Sequence, residues 1–280
     1  MRSHTRIIWW LAVLVAWLGA AGCGPDPKDR FGRTYYIDGA GNWGFGVAEM
    51  TYGLADAGYQ GCIRNWRWSP TFNPALDQTI GRPVARASGA NLGREITAYR
   101  REHPDMQVNI IALSAGTGVA VWACEAVVPP ASVHNVVLLG SSLSSKYDVR
   151  RALSHIDGQI FVYVSPHDQI LLGPVQALGT IDGTSDTAAG LAGLRVPKEL
   201  QDRVVNIRWS RKYEKYGWTG AHTDCTSEPF VRHVLAQHIV SRPGEAPEVL
   251  QPAFVPVDGA MTAADLWIAA PESGEALSLD

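Results

Sequence analysis

The chain has 280 residues, 46% hydrophobic and 18% charged, with a net charge of −3. That length and balance describe a soluble globular protein with one sizeable core. A slightly negative chain without a basic stripe or an internal repeat excludes nucleic acid as an expected partner, and a repeat architecture with it.

Taken in order, Arg2 and Arg6 precede an apolar run, Ile7 to Ala21, that closes on Ala20-Ala21-Gly22-Cys23. A positive flank, a short apolar centre and small residues at the end predict an export signal over residues 1–22, too short for a comfortable membrane span. Gly22-Cys23 resembles a bacterial lipoprotein cleavage site, so Cys23 is expected to become the lipidated first residue and a membrane attachment. Ala20 stands where Leu is usual, which leaves ordinary cleavage and a periplasmic or secreted product as the alternative. Export permits disulfides, but Cys62, Cys124 and Cys225 are odd in number and allow at most one bridge. None has zinc-site spacing.

Residues 23–33 read as a polar tether, 34–240 as the folded domain and 241–280 as a Pro-rich tail. Thr34–Ile37 is the first predicted strand, broken by Asp38-Gly-Ala-Gly-Asn-Trp-Gly-Phe-Gly46. Val47, Met50 and Leu54 then recur at helical spacing until Gly58, and Cys62–Trp66 is the second strand. Arg67 to Ala90 is rich in Pro, Gly and Ser and reads as a long loop over a site. Asn91 is the expected cap of a helix with Leu92, Ile96 and Tyr99 on one face, ended by Pro104. A strand ending in Leu113, a central apolar helix Ala115–Val127, a strand Val136–Leu139, a helix Tyr147–Ile156 and a strand Ile160–Val164 follow. Gln169 to Arg203 reads as an irregular lid or pocket wall, Val204–Trp209 as the last strand. Ser227 is the expected cap of a final helix with Phe230, Val231, Val234 and Leu235 inward. Strands that are continuous apolar runs, alternating with helices, predict a three-layer α/β/α sandwich with a mostly parallel sheet of about six strands. Ligands of such sheets bind beyond the carboxyl ends of the strands.

The chemistry-bearing residues fall at those ends. Ala112-Leu-Ser114-Ala-Gly116 has small residues on both sides of a serine between strand and helix, the geometry of a nucleophile elbow, with Ala in place of the usual first Gly. Ser165-Pro-His-Asp168 follows the fifth strand, and Gly217-Trp-Thr-Gly-Ala-His222 follows the sixth. A serine hydroxyl becomes a competent nucleophile when an imidazole removes its proton, and a carboxylate holds that imidazole in the useful tautomer. Ser114, Asp168 and His222 are therefore the candidate nucleophile, acid and base. Asp224 is the weaker rival acid. His167 is the rival histidine and is expected to shape the pocket with Trp43. Amides of Ala115 and Ala40, with Gly41 second to Ala40, are the expected oxyanion donors. No metal or organic cofactor is called for.

The run from Tyr99-Arg-Arg-Glu-His-Pro104 through Ala112-Leu-Ser-Ala-Gly116 resembles the helix, strand and elbow of α/β-hydrolase-fold esterases and lipases. The resemblance spans roughly Thr34 to Val240 and leaves no room for two further strands before Thr34, as in cutinases. It implies acyl transfer from an ester substrate to water through an acyl-serine, with the substrate itself open. Two other readings compete. A non-catalytic surface binding protein could share the fold. Gly39-Ala-Gly41-Asn-Trp-Gly44 also fits the dinucleotide fingerprint and resembles NAD-dependent glycerol-3-phosphate dehydrogenases, although Asn65-Trp66-Arg67 offers no acid for a ribose.

Overall fold

The computed structural model describes residues 26–69 and 71–240. The expected export signal, Cys23 and the Pro-rich tail lie outside these. Six apolar runs become six strands: β1 (Arg33–Ile37), β2 (Cys62–Asn65), β3 (Val108–Leu113), β4 (Val136–Leu139), β5 (Ile160–Val164) and β6 (Val204–Arg208). All neighbouring pairs are parallel, in the order β2-β1-β3-β4-β5-β6. Helices are α1 (Val47–Asp56), α2 (Pro74–Gln78), α3 (Arg82–Glu102), α4 (Gly116–Ala126) and α5 (Arg150–Leu153), followed by short helical turns.

The pleat divides the strands' side chains between two cores. Ile110 and Ala112 of β3, Val136 and Leu138 of β4, and Ile160 and Val162 of β5 join Leu92, Ile96 and Val119 of α3 and α4. Ile111, Leu113, Val137, Leu139, Phe161 and Tyr163 point the other way, onto Met50, Leu54, Phe230 and Val234. The sheet is thus covered on both faces, as its continuous apolar runs require.

Three expectations need correcting. Arg67 to Ala90 is not one long loop: it holds α2 and the first nine residues of α3, which begins at Arg82 rather than beside Asn91. The small residues there serve close packing between helices. A Cβ at Gly89 would stand 2.8 Å from the Trp122 Cβ, and one at Gly93 would stand 2.6 Å from the Ala123 carbonyl oxygen. Asn91 sits exposed in mid-helix, accepting from Arg94. Tyr147–Ile156 is helical only over Arg150–Leu153, because the Asp148 carboxylate turns back onto the Arg150 amide (3.1 Å) and its guanidinium. Ser227 does stand at the N-cap of the final helical segment, its carbonyl accepting from the Val231 amide (2.9 Å), but its hydroxyl makes no capping bond and donates to the Tyr216 carbonyl (3.1 Å). Phe230, Val231, Val234 and Leu235 do point inward. Gln169 to Arg203 contains helical turns at Leu171–Val175, Gln176–Leu178, Ala189–Ala192 and Lys198–Leu200. Cys62, Cys124 and Cys225 are all buried, unbridged thiols.

The described part of the stretch read as a tether, Asp26 to Arg33, is fastened down. Pro27–Phe31 is a 3-10 turn whose Asp29 is buried and paired with Arg33 (2.7 Å) and Arg64 (3.1 Å). Burial raises the Asp29 pKa, but hydrogen bonds and charge from Arg33 and Arg64 outweigh that and hold it below the ordinary carboxylate value. The Tyr99 hydroxyl donates to the Asp29 carbonyl (2.6 Å), joining this turn to α3. Removing one partner leaves a buried charge poorly compensated. Asp29→Ala is therefore expected to cost about 3 kcal/mol, read by urea unfolding as a lower midpoint with an unchanged slope.

Candidate active site

Ser114 leaves β3 with φ +53°, one of two non-glycine residues with positive φ among the described residues. Such a conformation costs on the order of 1–3 kcal/mol and persists only where surroundings over-determine it. Here they do. The Ser114 amide donates to Leu139 (2.9 Å), and its carbonyl accepts from the Thr117 amide (3.1 Å), the Thr117 hydroxyl (2.5 Å) and the Ser142 amide (3.3 Å). Gly116 is obligatory for the turn: a Cβ there would stand 2.5 Å from the Asp38 carbonyl oxygen and 2.7 Å from that of Ile37. Ala112, the departure from the usual pattern, carries its methyl into the core beside Ala115 and Val119, where a side chain is accommodated.

The acid and base meet across the ends of β5 and β6. Asp168 Oδ2 lies 2.7 Å from His222 Nδ1, and both side chains are almost wholly enclosed, the imidazole 11% exposed and the carboxylate 2%. Asp168 Oδ1 accepts from the amides of Ile170 (3.1 Å) and Leu171 (3.0 Å), so neither oxygen is idle. A carboxylate only accepts, so Nδ1 carries the hydrogen and Nε2 keeps a free lone pair. The His222 loop is braced from behind. Asp224 accepts from the Thr219 amide (2.8 Å) and hydroxyl (2.5 Å), and the Ser165 hydroxyl donates to the Gly220 carbonyl (2.6 Å). The rival acid is thus a strut for the loop that carries the base.

Ser114 and His222 line one cavity of about 660 Å³, together with Asp38, Gly39, Ala40, Trp43 and Leu113. Gly39 lies against the serine, its hypothetical Cβ 3.0 Å from the Ser114 Cβ. Among the described residues the Ala40 and Ala115 amides donate to no acceptor, which leaves both N–H groups available beside Ser114. Gly41 is different: its amide donates to Asp77 Oδ2 (2.7 Å), so it is corrected from oxyanion donor to anchor point. His167 is also corrected. Its ring packs edge-on against Trp209 (4.7 Å), and it is not among the cavity's walls; Trp43 is.

Asp38 decides the fate of the glycine fingerprint. Its buried carboxylate accepts from the amides of Gly39 (2.7 Å) and Gly44 (2.6 Å), so the backbone donors that a diphosphate would need are already filled by an internal anion. Burial pushes the Asp38 carboxyl up, against the pull of those amides. This loop does not offer a nucleotide cradle. No cluster of three or more His, Cys, Asp or Glu among the described residues could hold a metal.

Two residues of the site escaped the sequence reading. Gly140, after β4, has φ +46°, and a Cβ on it would press to 3.0 Å of His222 Nδ1 and 3.3 Å of Asp168 Oδ2. A glycine at the carboxyl end of a central strand was the available signal. Asp77 is buried at the end of α2 and accepts from the Ser69 hydroxyl and the Thr71 hydroxyl (2.5 Å each) as well as from Gly41. Asn73-Pro74 ahead of it is a helix-start signal, with the Asn73 side chain accepting from Ala75 (3.0 Å) and Leu76 (3.2 Å).

No family model and no curated protein matches this chain. Similar solved structures include esterase PE8 (10% identity, TM-score 0.38, covering 69% of this chain and 85% of that one). A cutinase-like protein from Cryptococcus sp. is 13% identical, with TM-score 0.39, over 74% of this chain and 90% of that one. Dienelactone hydrolase from Anabaena variabilis is 18% identical, with TM-score 0.39, over 74% and 82%.

Gly116→Ala is expected to drive the new methyl into the carbonyls of Ile37 and Asp38. The cost should be about 3 kcal/mol, measured by denaturant unfolding, with Ala112→Gly as the control that meets no such contact.

Proposed function

We propose that this protein is a serine hydrolase acting on carboxylic esters. The observation that carries the reading is the enclosed Asp168–His222 pair, 2.7 Å apart, opening onto the same cavity as a serine held at φ +53°. In this reading His222 Nε2 takes the proton of Ser114 Oγ as the oxygen attacks the ester carbonyl. The tetrahedral oxyanion is received by the amides of Ala115 and Ala40, and Asp168 stabilises the imidazolium. The intermediate collapses, the alcohol leaves with the proton from Nε2, and an acyl-Ser114 remains. Water, deprotonated by the same nitrogen, then releases the acid and restores the serine. Asp77 supports the step indirectly, because its hold on Gly41 fixes the loop that carries Ala40.

Ser114→Ala and His222→Ala are each expected to lower kcat on p-nitrophenyl butyrate by at least about 10⁴-fold while the protein stays folded. Fluorophosphonate labelling should vanish in Ser114→Ala. Unimpaired turnover by either variant would sink the assignment, and a folded wild type that neither labels nor turns over any ester would leave the non-catalytic binding protein as the reading.

We also propose export through residues 1–22 and lipidation at Cys23, on the strength of the charged flank, apolar run and small residues read above. Expression in a bacterial host should yield a mature N-terminus at Cys23 carrying a diacylglyceryl mass. An unmodified Met1 terminus would refute export, and a cleaved but unlipidated one would refute the anchor alone.

A further inference from the structure

The cavity that holds Ser114 and His222 has an unusual balance of walls. Beyond the reacting groups it is built from Ala40, Trp43 and Phe45 on one side, Pro74 and Ala75 of α2 on a second, and Ile170, Pro174, Val175 and Leu178 on a third. No lysine or arginine is among its lining residues, and its only carboxylate, Asp38, is committed to backbone amides. Besides Ser114, the neutral polar side chains among its lining residues are Asn73, Gln78, Gln169 and Thr223, and Gln78 is tied to the Gly179 carbonyl (2.9 Å).

The apolar surface continues outside the cavity. Trp43 (57% exposed), Phe45, Phe72, Leu76, Ile170 and Leu178 are all solvent-exposed large apolar side chains on the same three segments. Trp43 ties two of them together: its indole donates to the Phe72 carbonyl (3.0 Å), and its ring lies edge-on to Phe45 at 5.8 Å. Exposed apolar groups grouped around one opening mark a surface that is covered in use. A water-filled site for a sugar or a charged acid would instead present converging hydrogen-bond donors or a cation.

We infer that the substrates are neutral esters with an extended apolar acyl group, which lies along these three walls while its carbonyl carbon meets Ser114. This inference rests on the serine-hydrolase reading and narrows it to a substrate class. The cavity's size lies within the range of small-molecule sites, and its apolar mouth lets a chain longer than the cavity keep its contacts beyond the rim. No lysine or arginine lines the cavity to retain the carboxylate formed on hydrolysis.

The test is a p-nitrophenyl ester series from acetate to decanoate, each below its aggregation limit, with the p-nitrophenyl monoester of adipic acid beside hexanoate. The expected result is kcat/KM rising about fourfold per methylene through at least hexanoate, with the terminal carboxylate of the adipate ester lowering it at least tenfold. Ile170→Asp, a change at an exposed position, is expected to lower the decanoate-to-acetate ratio at least tenfold. A profile that is flat or highest at acetate, or an adipate ester used as well as hexanoate, overturns the inference while Ser114-dependent turnover keeps the hydrolase reading. Calorimetric titration of folded Ser114→Ala with 1-decanol separates the two failures. Binding to it alongside ester turnover that does not depend on Ser114 overturns the hydrolase reading and leaves the cavity's preference; no binding overturns the preference itself.

Discussion

The site depends on how closely the end of β1 passes the turn after β3. Gly116 lets the Ile37 and Asp38 carbonyls come within a distance that a single methyl group would forbid, and Gly39 rests on Ser114 in the same way. That approach sets Gly39, the neighbour of Ala40, against Ser114, the neighbour of Ala115. The strain at Ser114 is tolerable because four hydrogen bonds from three neighbouring segments fix its peptide groups. Packing, more than any single catalytic contact, sets the geometry in which chemistry becomes possible.

Charge is handled by commitment. Three buried carboxylates, Asp38 in the cavity's wall and Asp77 and Asp168 on segments that carry wall residues, are each committed to defined donors. Asp38 is spent on two glycine amides, Asp77 on Gly41 and two hydroxyls, and Asp168 on an imidazole and two amides. An uncommitted carboxylate beside a developing oxyanion would raise the barrier it is meant to lower. Asp168 has a double duty, since its Oδ1 also starts the Leu171–Val175 turn, one wall of the cavity. Asp168 therefore shapes the space in front of Ser114 as well as holding His222.

The strands were legible because parallel strands buried on both faces show as near-continuous apolar runs, and Val108–Leu113 (broken only by Asn109), Val136–Leu139 and Ile160–Val164 are such runs. The placing of Ser114, Asp168 and His222 beyond the carboxyl ends of β3, β5 and β6 was legible because each follows a strand. The start of α3 was not. Ala85, Ser88 and Gly89 carry the composition of a loop, and only the Trp122 and Ala123 surfaces that Gly89 and Gly93 face reveal these glycines as spacers between two helices. Gly41 and His167 were misplaced for a related reason. Their neighbours, Asp77 and Trp209, lie 36 and 42 residues away in the chain, a pairing that local pattern does not encode. The glycine fingerprint misled in the opposite direction, because the anion it gathers comes from the chain's own Asp38.

The described chain enters at the amino-terminal edge of the sheet, where the Cys62 thiol donates to Asp26 (3.4 Å) at the foot of β2 and Arg33 grips Asp29 at the foot of β1. The cavity opens at the other pole, beyond the strands' carboxyl ends. The first described residues and the cavity's mouth therefore stand at opposite ends of the sheet, so a probe fixed near Asp26 would leave the way to Ser114 clear.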